Sequence, residues 1–262
     1  MELQKITEKV CDLVIETGEY IRKETDTFLT SDIEVKGLNN FVTYVDKQSE
    51  ERLISGLASI LPATGFIAEE SPALKTSEIN WVIDPLDGTT NFIHGVPVFS
   101  ISVGLMENKE VLAGVVFEIN MNECFYTWKG SPSFLNGKII KVSEAALLSD
   151  CLLATGFPYY DFDRLDAYLS VFRNFMETTH GIRRLGSAAA DLAYVACGRF
   201  DGFYEYGLNP WDVAAGCLLV ENAGGKICDF RLGDDYIFGK EIIATNKNVF
   251  DNFMKAFWDN FR

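Results

Sequence analysis

In residues 81–95, WVIDPLDGTTNFIHG, an apolar run ends in two carboxylates, Asp84 and Asp87, followed at once by Gly88 and the hydroxyls of Thr89 and Thr90. Pro85 fixes its own φ and turns the backbone of Asp84 away from helix, so the chain leaves the apolar run in a defined direction. Two carboxylates near one strand end, beside a glycine that permits close backbone approach, suit a hard divalent cation, whose ligands are oxygens. The same residues also read as an Asp-Pro turn followed by an Asp-Gly turn, which needs no ligand. Other acids bear on the choice. Glu69 and Glu70 follow the short apolar run 66–68 at another expected strand end, and taken singly they read as solvated charge. Asp212 falls in the first turn of a helix opened by Pro210, where an acid already complements the helix dipole.

The elements that must position these groups follow from periodicity. Leu3, Ile6, Val10, Leu13, Val14 and Ile21 recur at helical spacing, and residues 46–62 repeat the pattern, with Asp46 able to cap the start and Pro62 following the end. Two helices are thus expected before the first strand. From Phe66 the period shortens: FIA, WVI, VFSISVGLM, VLAGVVFEI and ECFYTW are rich in β-branched and aromatic residues and separated by turns, which predicts a mostly antiparallel meander. The second half alternates strands (CLLATGF, GIRRL, FDGFYEY, KICDF, EIIAT) with helices near residues 164–179, 187–198, 210–225 and 248–261. Layers of sheet and helix result, without repeats or an evident linker.

Composition narrows the partners. The 262 residues allow one large domain or two small halves, and 48% apolar content with 20 Phe, 10 Tyr and 4 Trp excludes a disordered chain. A formal charge of -15 repels phosphate backbones and anionic lipid over a Debye length of about 8 Å, which argues against direct nucleic-acid or membrane binding. The six cysteines form no C-x-x-C pair and sit in apolar segments, so they read as reduced core thiols. The first twenty residues interleave charge with apolar positions, and no apolar run approaches the roughly 20 residues of a membrane span. A cytoplasmic protein is expected.

The segments GFIAEES, WVIDPLDGTTNF and PWDVAAGCLLVENAGG resemble the characteristic motifs of the inositol monophosphatase family. The likeness runs through nearly the whole chain, including VKGLNNFVTYVDKQSE and RRLGSAAADLAYVACGRFDGFYE, both nearest to bacterial members. It implies an α/β fold (α+β by some schemes), layered α-β-α-β-α as in the inositol monophosphatase and fructose-1,6-bisphosphatase type. A single catalytic domain over residues 1–262 is implied, its metal-binding half reaching to about residue 145 and its α/β half beginning near 146. Carried over position by position, Glu69, Asp84, Asp87, Asp212 and the carbonyl of Leu86 become the ligands of Mg²⁺, two or three ions per site. Asp87, Gly88 and Thr89 meet the phosphate. Thr89 and Asp46, with Glu69, form the catalytic set that orients the attacking water; Gly186, Ser187, Ala188 and Glu205 line the polyol side; Lys36 matches a basic residue on a loop that closes over the site. Glu205 also reads as a plain surface acid at the end of its strand. The implied substrate is a small polyol phosphate, first of all myo-inositol 1-phosphate, and the implied assembly is a homodimer.

The chemistry is coherent with that resemblance. A phosphate monoester is a dianion whose unaided hydrolysis is extremely slow, so a catalyst must shield its charge, generate a nucleophile and stabilise the leaving alkoxide. Clustered metals serve all three ends. Fructose 1,6-bisphosphate, 3′-phosphoadenosine 5′-phosphate, histidinol phosphate and NADP are the alternative substrates, and a regulatory protein-binding role is the alternative of another class, since some bacterial relatives are linked to transcription. Asn40 stands where many relatives carry Asp. With only His94 and His180, and no H-E-x-x-H, G-x-S-x-G or Walker-type G-K-[ST], zinc peptidase, serine hydrolase and P-loop chemistry lack their minimum parts. His94 follows the metal motif closely enough to touch the site or to be structural, and Arg183 and Arg184 are assigned to a dimer interface or strand edge ahead of anion binding.

Overall fold

The structure, a computed structural model, describes residues 2–25, 27–28, 33–37, 40–71, 76–158 and 161–261. Helix α1 (Leu3–Glu24) buries Thr7, Val10, Val14, Gly18 and Ile21, one stripe at three- and four-residue spacing, and leaves its charges outside. A hairpin of β1 (Ile33–Gly37) and β2 (Asn40–Thr43) comes next, and only then α2 (Tyr44–Ile60). The expectation of two helices before any strand is therefore wrong. Ile33 and Val35 alternate with Glu34 and Lys36, a signal only four residues long, and the hairpin is fixed by its own pairing, Ile33 opposite Thr43 to Gly37 opposite Asn40.

The first large sheet contains β3 (Gly65–Ala68), β4 (Ile79–Asp87), β5 (Ser100–Glu107), β6 (Glu110–Glu118), β7 (Glu123–Trp128), β8 (Ser133–Leu135) and β9 (Lys138–Ile140), neighbours in that order, with the one-turn helix α3 (Thr89–Ile93) between β4 and β5. Only the β3–β4 pair is parallel, so the predicted antiparallel meander is present; β8, β9 and α3 were not predicted. Strands β4, β5 and β6 are nearly continuous buried runs, the pattern of a sheet covered on both faces.

The second half supplies β10 (Leu152–Thr155), α4 (Leu165–Thr178), β11 (Gly181–Arg183), α5 (Ala188–Ala196), β12 (Gly202–Tyr206), α6 (Pro210–Asn222), β13 (Gly225–Cys228), β14 (Glu241–Asn246) and α7 (Phe250–Asn260). Its sheet runs β11-β10-β12-β14-β13, with β10 parallel to both neighbours and β12, β14 and β13 antiparallel.

Three apolar clusters hold five layers together. Side chains of α1 and α2 pack with Trp81, Ile83, Ile101 and Val115 on one face of the first sheet. Between the sheets lie α5 and α6: α6 buries every residue from Val213 to Val220, because a helix with sheets on two sides has no solvent face to keep polar. Beyond the second sheet, Tyr168, Phe175, Phe253 and Phe257 of α4 and α7 close the last layer. The order is α-β-α-β-α. Among the described residues no helix is long and apolar enough to cross a membrane. All six cysteines are free thiols; Cys124, Cys151, Cys217 and Cys228 are buried, while Cys11 and Cys197 are only partly so.

Candidate active site

Where β4 ends, the first sheet meets the N-termini of both inter-sheet helices. Asp84 lies inside β4, opposite Ser102 of β5, and the strand continues to Asp87, opposite Ser100, with its register broken between the two acids. Both acids fall in the last four residues of β4, near the strand end where the sequence places them, and Pro85 interrupts the pairing without ending the strand. Ser100 and Ser102, two apart and on the same face, dock the helices. Ser102 Oγ donates to the carbonyl of Trp211 (2.9 Å) and seats α6. Ser100 Oγ lies 2.9 Å from Ser187 Oγ at the N-cap of α5.

These elements enclose a cavity of about 470 Å³. It is lined by Glu69, Asp84, Leu86, Asp87, Gly88, Thr89, Gly186, Ser187, Ala188, Glu205 and Asp212, all singled out from the sequence. A groove between α1 and α2 and a hollow behind α6 are larger, about 650 and 600 Å³, yet neither gathers buried carboxylates.

Each acid is held by its own local chemistry. Asp84 Oδ1 accepts from Leu86 N (2.9 Å), closing the Asp-Pro turn. Asp87 Oδ2 accepts from Ser187 Oγ and from Ala189 N, both at 2.7 Å, so it sits on the positive end of α5. Asp212 is the third residue of α6 and reaches back to Asn209 N (2.7 Å), the side-chain return of a capping box. Glu69 follows β3, its N–H bonded to the Ile83 carbonyl of β4 (3.2 Å). Gly88 has φ +101°, and a Cβ there would lie 3.1 Å from the Val98 carbonyl and 3.2 Å from that of Gly186. Only glycine fits both the left-handed conformation and the gap.

Asp46 does not cap α2. Thr43 is the N-cap, its Oγ taking Val45 N and Asp46 N, while Asp46, as the third helical residue, returns Oδ2 to Thr43 N (2.8 Å). Its other oxygen, Oδ1, accepts from Thr89 Oγ at 2.9 Å, and Thr89 Oγ also lies 3.1 Å from the Leu86 carbonyl. Asp46 is therefore brought to the cavity through Thr89, without lining it. Glu50, one turn further along α2 and buried, accepts from Glu70 N (2.8 Å) and so ties down the corner that carries Glu69.

The electrostatics are those of acids packed without enough positive charge. Burial, then Glu69, Asp87 and Asp212, pushes the Asp84 carboxyl well above the carboxylate range. Burial and Asp87 raise Asp212 to about 7; burial raises Asp87 to about 6 against the pull of Ser187, Ala189 N and Arg184. Asp46 rises to about 6, chiefly through burial. A buried Asp84 with the half-buried Asp87 and Asp212 beside it, both raising its carboxyl, fits a divalent cation, and the donors, carboxylate and carbonyl oxygens, are those a hard ion takes. Among the described residues no three acidic, His or Cys side chains are already drawn into the geometry of a bound ion, since Asp84, Asp87 and Asp212 spend oxygens on protein donors.

Glu205 lies on β12, buried and facing the same cavity, so the plain surface reading does not hold; burial raises its carboxyl well above the usual range while Arg184 opposes. A Cβ on Gly156 would fall 2.0 Å from Glu205 Oε1, so the bare backbone of β10's exit makes room for that carboxylate. Lys36 lies on β1 and Asn40 on β2, and their side chains are outside the described part of the structure. His94 caps the end of α3, exposed and away from the cavity lining. Arg183 is exposed on the edge strand β11, and Arg184, also exposed, lines the cavity, where its charge acts on Asp87, Asp191 and Glu205. Sequence reading missed Ser100, Ser102, Glu50 and Asp191. Ser-x-Ser inside an apolar strand, and an acid at i+4 from Asp46, are the signals that pointed to the first three.

A sequence model of the inositol monophosphatase family matches residues 2–261. The chain belongs to the inositol monophosphatase family. It is 38% identical over 226 residues to the inositol-1-monophosphatase of Mesorhizobium japonicum (86% of this chain, 85% of that one). It is 40% identical over 247 residues to the Nus factor SuhB of Escherichia coli K12 (94% and 91%). A solved inositol monophosphatase from Anabaena (Nostoc) sp. PCC 7120 superposes with a TM-score of 0.88 at 35% identity, covering 99% of this chain and 98% of the other. The inositol monophosphatase family is a metal-dependent one, and membership supports a phosphatase of this family.

Proposed function

We propose that the chain is a Mg²⁺-dependent phosphomonoesterase acting on small polyol phosphates, with myo-inositol 1-phosphate the first substrate. The observation that carries this reading is one cavity with two chemistries: carboxylates that call for a cation where β4 ends, and the buried Glu205 lining the same hollow. Glu69, Asp84, Asp87, Asp212 and the Leu86 carbonyl would hold Mg²⁺, which supplies the positive charge that a phosphate dianion and its leaving alkoxide require.

The chain's own residues do the rest. Thr89 donates its hydroxyl proton to Asp46, which leaves the lone pairs of Oγ to accept from a water and aim it at phosphorus. Asp46, raised to about 6 by burial, is matched to take up a proton near neutral pH. Asp87 and the Gly88 backbone bound the space for the phosphate, and no covalent phosphoenzyme is needed. Glu205, an acceptor when ionised, suits vicinal hydroxyl donors and repels a second phosphate.

The experiment is a comparison of kcat/KM for inositol 1-phosphate, fructose 1,6-bisphosphate, 3′-phosphoadenosine 5′-phosphate, histidinol phosphate and NADP under saturating Mg²⁺. Inositol 1-phosphate is expected to lead; preference for any of the others moves the assignment. The similarity to proteins named Nus factor SuhB supports a second reading, a protein-binding role beside catalysis. Binding of a protein partner by a turnover-dead Asp84→Asn variant is its test, and failure to bind any partner that the wild type binds would make that role dependent on catalysis.

A further inference from the structure

Asp191 has no structural employment. It lies in the first turn of α5 with 1% of its surface exposed, among Ala188, Ala189, Ala190, Leu192 and Ala193, where an apolar residue would pack at no electrostatic cost. It does not cap the helix, because Ser187 Oγ already takes Ala190 N. Its Oδ1 is a fully buried oxygen with no hydrogen-bond partner among the described residues. The core therefore gains nothing from this carboxyl, and a buried acceptor left unmatched is costly.

The cavity accounts for it. Asp191 lines the hollow that Glu205 and Arg184 line, and its strongest side-chain electrostatic partner is Glu205, followed by Asp87, with Arg184 opposing. The wall of the hollow thus adds two carboxyl groups, Asp191 and Glu205, beside one guanidinium. Carboxyl oxygens that no protein group uses are matched by a molecule bringing several hydroxyl donors, and mismatched by one bringing another anion.

We propose that Asp191 is a second specificity-determining residue of the cavity, which together with Glu205 reads the hydroxyls of a polyol phosphate and disfavours substrates with an additional phosphate. This deepens the polyol phosphatase reading and rests on it.

The test compares Asp191→Asn with wild type on inositol 1-phosphate and on p-nitrophenyl phosphate, an ester with no hydroxyls, at saturating Mg²⁺, with melting curves alongside. The expected result is a loss of about tenfold in kcat/KM on inositol 1-phosphate, carried mainly by KM, with p-nitrophenyl phosphate changed by less than about twofold. Asp191→Ser, smaller and uncharged, is the second variant and carries the same expectation. Equal losses on both esters, no loss on either, or failure of both variants to fold would each show a purely structural residue and overturn the proposal. If wild type cleaves p-nitrophenyl phosphate but not inositol 1-phosphate, the inositol assignment falls alone. Glycerol 2-phosphate then replaces it as the hydroxyl-bearing ester, and the selective loss is still required.

Discussion

Two helices of this molecule begin with the same local device and end in different chemistry. In α2 and in α6 an aspartate at the third helical position returns one oxygen to the N–H of the residue before the helix, Asp46 to Thr43 and Asp212 to Asn209. The second oxygen makes the difference. That of Asp46 meets the hydroxyl of Thr89, a donor, and completes a hydrogen-bonded pair. The carboxyl of Asp212 faces Asp84, another acid, whose carboxyl is pushed well above its usual range in part by Asp212, and a cation would serve both. The capping box is satisfied in one helix and turned into an electrostatic demand in the other, and the partner across the fold decides which.

The largest effect expected from this contrast is at the demanding box. Asp84→Asn and Asp212→Asn keep size and shape and remove charge, so turnover at saturating Mg²⁺ should fall on the order of a thousandfold, several kcal/mol of transition-state stabilisation. The metal-stripped protein should melt higher in both variants, because repulsion is relieved. Near wild-type turnover in Asp84→Asn would make it a turn residue only.

The same change at the satisfied box should act differently. In Asp46→Asn the amide nitrogen faces Thr89, whose hydroxyl then turns to the Leu86 carbonyl, 3.1 Å away, and no longer leaves a lone pair aimed at water. We expect kcat to drop about a hundredfold, the low end for general acid–base assistance, with stability held within about 1 kcal/mol. Thr89→Ala should match it in kcat with KM little changed. Full turnover with lowered melting in Asp46→Asn would reduce the residue to a helix-capping role.

A smaller effect separates the boxes by pH. Carboxyls whose folded pKa exceeds the unfolded one stabilise the fold below the unfolded value, near 3.8, and lose that contribution as pH rises through the folded value, here about 6 for Asp46 and about 7 for Asp212, with Asp84 also raised. Metal-stripped protein should therefore lose melting temperature steadily between about pH 4 and pH 7, and Mg²⁺ should cancel most of the Asp84 and Asp212 share while leaving that of Asp46. A flat or rising profile without metal would contradict the raised carboxyls.

How much of this was legible follows from the range over which each signal acts. The layered order, most strands and helices, and the acids of the cavity lie in contiguous motifs, where hydrophobic period and turn residues are local. Asp46 was legible as a helix-start residue and, through the family resemblance, as the partner of Thr89; that Thr43 and not Asp46 is the cap needed the backbone, because both residue types fit both positions. The hairpin of β1 and β2 left only a short signal, Ile33 and Val35 alternating with Glu34 and Lys36. Ser100, Ser102 and Asp191 escaped because a small or acidic residue in an apolar segment has meaning only when the facing layer is known: Trp211, Ser187 and Glu205 are 109, 87 and 14 positions away.

The central claim is that the acids gathered at the ends of β3 and β4 and at the start of α6 are tolerable and active only with a divalent cation. Titrating exhaustively stripped protein with Mg²⁺, following turnover and melting temperature in the same samples, tests it most directly. The account predicts no turnover without metal, recovery on addition, and a melting temperature that climbs over the same concentration range in wild type and far less in Asp84→Asn. Full turnover in the stripped protein, or a melting temperature that ignores Mg²⁺, would contradict it.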